Sequence, residues 1–117
     1  MTPVPSPFLV KGKLSKAARR GEKLFGQAGC AACHPSDQLF TDRRQYDLGM
    51  QDDMDKGKAW DTPTLVEIWR TAPYLFDGRS KTIRELLTTH NPGDVHGRTS
   101  KLSEQELADL EAYILSH

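Results

Sequence analysis

Cysteine is scarce in this chain, with two among 117 residues, so no disulfide framework is available to hold a small fold together. Aromatic residues make up 8% and hydrophobic residues 37%, and mean hydropathy is −0.61. A single domain of this size with so little to bury needs a staple of another kind. No apolar run is long enough to span a membrane. The opening Met1-Thr2-Pro3-Val4-Pro5-Ser6-Pro7 lacks the basic head and apolar stretch of an export signal. Neither charge is in excess: 16 basic and 16 acidic residues give a net charge of zero, which argues against nucleic acid as a partner.

The two cysteines that are present stand in Cys30-Ala31-Ala32-Cys33-His34, the pattern of a c-type haem attachment site. Two thiols separated by two small residues add to the two vinyl groups of one porphyrin. The histidine behind them supplies the proximal imidazole to iron. Competing readings fail on context. A thioredoxin-like pair belongs to a βαβ pattern that is missing here, and a closed zinc site needs four ligands where the sequence offers no second C-x-x-C or H-x-x-x-H. One covalent haem c is therefore the expected cofactor, and it would serve as the staple. Haem is attached in this way outside the cytoplasm in bacteria, so the expected location is periplasmic or secreted, with the export signal absent from this sequence.

Residues 1–13 read as a proline-rich linker or tail and 14–117 as a mono-haem domain, an organisation that fits part of a larger multidomain protein. Leu14 to Gln27 reads as the first helix, with Ser15 as its cap. Gly21 is unfavourable inside a helix unless another backbone or ring comes close, and Tyr113 is the ring expected over it. Lys11, Lys13, Lys16, Arg19, Arg20 and Lys23 make this end basic, as a solvated face or a docking patch for an acidic redox partner. Pro35 to Lys58 reads as a long surface loop whose aspartates do not follow an EF-hand spacing. Thr62 and Pro63 read as the start of a helix that stops by Ala72-Pro73. Tyr74-Leu75-Phe76-Asp77-Gly78 is an apolar loop that needs a cover, which the haem would supply. Thr82-Ile83-Arg84-Glu85 and Ser103-Glu104-Gln105-Glu106 are capping boxes, the second followed by the apolar stripe Leu107, Leu110, Tyr113 and Ile114.

The segment DTPTLVEIWRTAPYLFDG, with C-x-x-C-H before it and TIREL and LSEQELADLEAYILS after it, closely resembles the C-terminal haem domain of the bacterial di-haem cytochrome c peroxidase family, which includes the methylamine dehydrogenase-maturation enzymes. The resemblance implies an all-α, class I cytochrome c-like fold, with about four to five helices and long loops around one haem. That family carries two haems on two such domains, whereas this sequence holds one attachment motif. Phe76 also stands where the family commonly has a histidine, in APYLHDG. The resemblance further implies a distal ligand at the end of the helix opened by Thr82: methionine in the peroxidases, tyrosine in the maturation enzymes, and His90 here.

Of the four histidines, His34 is the proximal ligand and His117, the last residue, is expected to fray. The expected order for the sixth ligand is His90, then His96, then Met50 and Met54. A bis-histidine haem is low-spin, low in potential and closed to small ligands. The expected role is accordingly electron transfer to a redox partner protein rather than catalysis. A peroxidase- or oxygenase-like haem domain, one half of a di-haem enzyme, and a ligand-switching haem sensor are the alternatives. Arg70 and Arg79 are candidates to pair with the propionates, and Trp60 and Trp69 to lie against the porphyrin or in the core.

Overall fold

The computed structural model describes residues 3–48, 59–75 and 78–117, and three helices carry its architecture. The Ser15 hydroxyl accepts the Ala18 amide at 3.0 Å and starts α1, Lys16–Gln27. Ala18, Gly21, Leu24 and Phe25 fall on its buried face, while Lys16, Arg19, Arg20 and Lys23 are exposed on the other. Gly29, at φ 85°, turns the chain out of α1 into the single 3₁₀ turn Cys30–Ala32. The second helix, α2, Ile83–Leu87, begins where the Thr82 hydroxyl accepts the Glu85 amide at 3.1 Å. The Glu85 carboxylate reaches back to the Lys81 amide instead of Thr82's, so only half of the expected box forms. The last helix, α3, Glu104–Ile114, has both halves: Glu106 N–H to Ser103 Oγ at 3.1 Å and Ser103 N–H to Glu106 Oε1 at 3.0 Å. The stripe Leu107, Leu110, Tyr113 and Ile114 is buried as its spacing requires.

The helices α1 and α3 cross at Gly21. A β-carbon there would run into the Asp109 carbonyl oxygen and stand 2.9 Å from Tyr113 Cβ, so the two backbones touch where the side chain is missing. The buried Asp109 carboxylate ties the same crossing. It accepts two bonds from the Arg20 guanidinium, at 2.8 and 3.0 Å, and one from Gln105 at 2.9 Å. The bonds and charge of Arg20 hold Asp109 below the usual carboxylate range. A depressed folded pKa stabilises the native state above the unfolded value, about 4, and that stabilisation is lost as pH falls through the folded value. Asp109→Asn is therefore expected to lower stability by about 1–2 kcal/mol at neutral pH, a modest figure because Arg20 is exposed. The gap to wild type should close below about pH 4, as read from thermal midpoints across pH; a gap independent of pH would contradict this account.

The rest of the chain wraps these helices. The two-residue strands β1, Gln45–Tyr46, and β2, Trp60–Asp61, pair antiparallel, with Gln45 opposite Asp61 and Tyr46 opposite Trp60. The helix expected from Thr62 to Ala72 does not form. That stretch holds only the 3₁₀ turn Ile68–Arg70. Long-range ties override local propensity there: Thr64 Oγ1 donates to Leu39 O and accepts the Val66 amide, Thr41 Oγ1 donates to Thr62 O, and Glu67 sits at φ 62°. The Pro35 to Lys58 segment is likewise not all loop, since it contains a 3₁₀ turn at Ser36–Gln38 as well as β1. Met50, Met54, Phe76 and Asp77 lie outside the described residues. The proline-rich N-terminal segment is seated on the domain: Ser6 is buried with its hydroxyl on Leu115 O at 2.5 Å, and the Val4 amide donates to Glu67 Oε1 at 2.7 Å. His117 does not fray. Its ring stacks on Phe40 with centroids 4.0 Å apart and meets Tyr113 edge-on at 4.6 Å, and its carbonyl accepts the Glu67 amide at 3.0 Å.

Candidate functional site

The 3₁₀ turn after α1 presents Cys30, Cys33 and His34 together, with His34 N–H bonded to Cys30 O at 2.9 Å. Ala31 and Ala32 are exposed, both cysteines are half-buried free thiols, and His34 is buried. Burial pushes the Cys30 thiol up to about 11, so it stays protonated at neutral pH. His34 Nδ1 lies 2.7 Å from Phe40 O. A carbonyl only accepts, so Nδ1 carries the proton and Nε2 keeps its lone pair for a metal. Burial also holds the His34 pKa below its ordinary value, favouring the neutral imidazole that ligation requires. Sequence reasoning missed Phe40. It lies in a stretch read as loop, at φ 58°, and its ring meets Phe25 and Tyr113 edge-on at 6.1 and 6.4 Å.

A second loop, residues 91–100, faces this turn. It is strapped to the end of α1 by Arg98, whose amide donates to Ala28 O at 2.8 Å and whose Nη2 donates to Gln27 O at 2.9 Å. Within it, the His96 ring stands 6.5 Å from the His34 ring between centroids, with the planes 42° apart. His96 Nδ1 is buried without a hydrogen-bond partner among the described residues. Burial, with His34 close by, pushes its pKa down to about 4, so this ring too is neutral. His90 lies just past α2, with its amide on Glu85 O at 3.0 Å, and its half-buried ring makes no hydrogen bond and no ring pairing among the described residues. The structure thus brings His96, not His90, to His34.

These residues fit an iron porphyrin. His34 and His96 would be the imidazoles at hand to hold such a group, 6.5 Å apart between centroids. An orphaned buried nitrogen on the neutral His96 imidazole, and the turn opposite it that carries His34 and two half-buried thiols, offer the donors such a group requires. Of the propionate candidates, Arg70 is already engaged by Glu67 at 2.7 Å and lies over the Trp69 ring at 5.7 Å, and Arg79 lies over Trp60 at 5.9 Å. Trp60 is buried, and Trp69 is half-buried with an indole N–H that has no partner among the described residues.

A family model described as cytochrome c matches residues 18–117. The chain belongs to the cytochrome c family. As a cytochrome c domain it takes covalent haem c, with Cys30-Ala31-Ala32-Cys33-His34 inside the matched region. It is 32% identical over 93% of its length to the hydrazine synthase subunit gamma of Kuenenia stuttgartiensis, covering 43% of that protein. It is 30% identical to the cytochrome-c peroxidase IdrP1 of Denitromonas iodatirespirans, over 89% of this chain and 41% of that one. To the methylamine utilization protein MauG of Methylorubrum extorquens it is 32% identical, over 83% of this chain and 33% of that one. The solved structure of Kuenenia stuttgartiensis hydrazine synthase superposes on the whole of this cytochrome c domain and 51% of its own chain, with a TM-score of 0.86 at 28% identity. These likenesses bear out the all-α, class I cytochrome c-like fold and the resemblance to the di-haem peroxidase family. The domain spans less than half the length of the curated relatives it matches. Among its described residues, no helix is long and apolar enough to cross a membrane.

Proposed function

We propose that this cytochrome c domain is an electron carrier holding one haem c through Cys30 and Cys33, with His34 and His96 as axial ligands. The observation that carries this reading is the facing pair of neutral imidazoles at 6.5 Å, one of them with an orphaned buried nitrogen. It favours His96, the second-ranked histidine of the sequence, over His90. The bound group supplies one-electron redox chemistry. The chain's own part is to anchor and orient. Phe40 O fixes the tautomer of His34, and the strap from Arg98 to Ala28 and Gln27 keeps the second imidazole in place. Two protein ligands would leave no open position for peroxide or oxygen. The exposed Ala31 and Ala32 leave the edge beside the thiols reachable by a redox partner protein. The reading carries with it a periplasmic or secreted location and a place within a larger protein, the latter in keeping with relatives more than twice as long.

The purified holoprotein is expected to show a six-coordinate low-spin spectrum in both oxidation states and to ignore carbon monoxide when reduced. A second reading, that of a catalytic haem domain, is favoured by relatives that include a cytochrome-c peroxidase and a subunit of hydrazine synthase. High-spin ferric iron, or rapid binding of carbon monoxide by the wild type, would overturn the carrier reading in its favour. A ligand change between the ferric and ferrous spectra would point instead to a sensor.

A further inference from the structure

The buried side chain of Asn91 makes three hydrogen bonds, and all of them go to the loop that carries His96. Its Oδ1 accepts the His96 amide at 2.8 Å, and its Nδ2 donates to Gly97 O at 3.0 Å and to Thr99 Oγ1 at 2.9 Å. Thr99 is also buried, and its hydroxyl passes the tie on to Leu87 O, at the end of α2, at 2.6 Å. One amide thus grips the backbone on both sides of the His96 side chain and links it to a helix. Gly97, at φ 85°, supplies the tight turn between the two grips. Asp94 closes the loop from outside through the Thr99 and Ser100 amides and the Ser100 hydroxyl.

We propose that Asn91, acting with Thr99, is a positioning residue that holds His96 at the height and angle where its ring meets the haem iron. The proposal rests on His96 being the sixth ligand. The His96 ring makes no hydrogen bond of its own among the described residues, so its placement depends on its backbone. That backbone is held by a side chain far more exacting than solvent would be. Asn is the residue type that does this, because it offers one acceptor and two donors on a short rigid stem. Aspartate keeps the shape but sets a second oxygen against the Gly97 carbonyl.

The test compares wild type, His96→Ala, Asn91→Ala, Asn91→Asp, Thr99→Val and Thr99→Ser as holoproteins, each checked for helical content by circular dichroism. In Asn91→Ala, Asn91→Asp and Thr99→Val the ferric spectrum is expected to gain a high-spin fraction. Their reduced forms should gain carbon monoxide binding that the wild type lacks, because loss of a group supporting a metal ligand loosens that ligand. Thr99→Ser, which keeps the hydroxyl, should restore the wild-type spectrum. If His96→Ala changes the spectrum but the Asn91 and Thr99 variants merely melt earlier with unaltered low-spin haem, Asn91 is structural and the proposal fails. An unchanged spectrum in His96→Ala would sink the ligand assignment itself.

Discussion

Gly21→Val is expected to leave the chain largely unfolded and unable to retain haem. The added β-carbon would collide with the Asp109 carbonyl oxygen and lie 2.6 Å from its carbon and 2.9 Å from Tyr113 Cβ, all parts of a helix that cannot swing aside alone. Relief comes only by parting α1 from α3, which uncovers Ala18, Phe25, Leu110 and Tyr113 and pulls Asp109 from Arg20. Even alanine should lower stability by roughly 3–5 kcal/mol, against a helix-propensity gain of about 1 kcal/mol, so overlap wins. That is a large share of the stability of a domain this small. Gly26, in the same helix, has nothing within 4 Å of its would-be β-carbon, and Gly26→Ala should raise stability by about 0.5–1 kcal/mol. Denaturant midpoints of the two alanine variants check the pair. Equal effects would mean that the crossing is not where the fold is decided.

The second large effect concerns the iron. His96→Ala removes the imidazole facing His34 and should turn the low-spin spectrum high-spin, with carbon monoxide bound on reduction. His90→Ala should leave the spectrum as it is. His96→Met, which exchanges an imidazole for a thioether, should stay low-spin and move the reduction potential upward by roughly 0.1 V or more. Absorbance in both oxidation states and a redox titration read these outcomes. The reverse result, a response at His90 and none at His96, would return the sixth position to the end of α2.

What could be read in the sequence was local or rested on close sequence spacing. Ser15 and Ser103 cap as read, because a cap involves only three or four consecutive residues. Gly21 was conspicuous because glycine in a helix needs a reason, and the distant Tyr113 supplies part of it. The stretch after Thr62 misled because Pro63 and the following apolar spacing satisfy a helix. Leu39, Thr41 and Val4 then claim the Thr64 hydroxyl, the Thr62 carbonyl and the Glu67 carboxylate from far along the chain. The same limit governs the histidines. Family spacing pointed to His90. What turns His96 toward His34 is a hydrogen-bonded loop closed by Asn91 and strapped to α1, and neither tie leaves a periodic trace in the sequence. A terminal position predicts fraying for His117, yet it stacks on Phe40, the residue whose carbonyl orients His34.

The crossing of the first helix with the last also has a bearing on how the molecule is made. Gly21 precedes the thiol-bearing turn by a few residues, but its seat on α3 is contributed some 88 positions later, by Asp109. The turn that bears the two sulfur atoms is thus settled close to α1, whereas the crossing that fixes α1 must wait for closure of a loop of that length, whose entropy cost grows with its size.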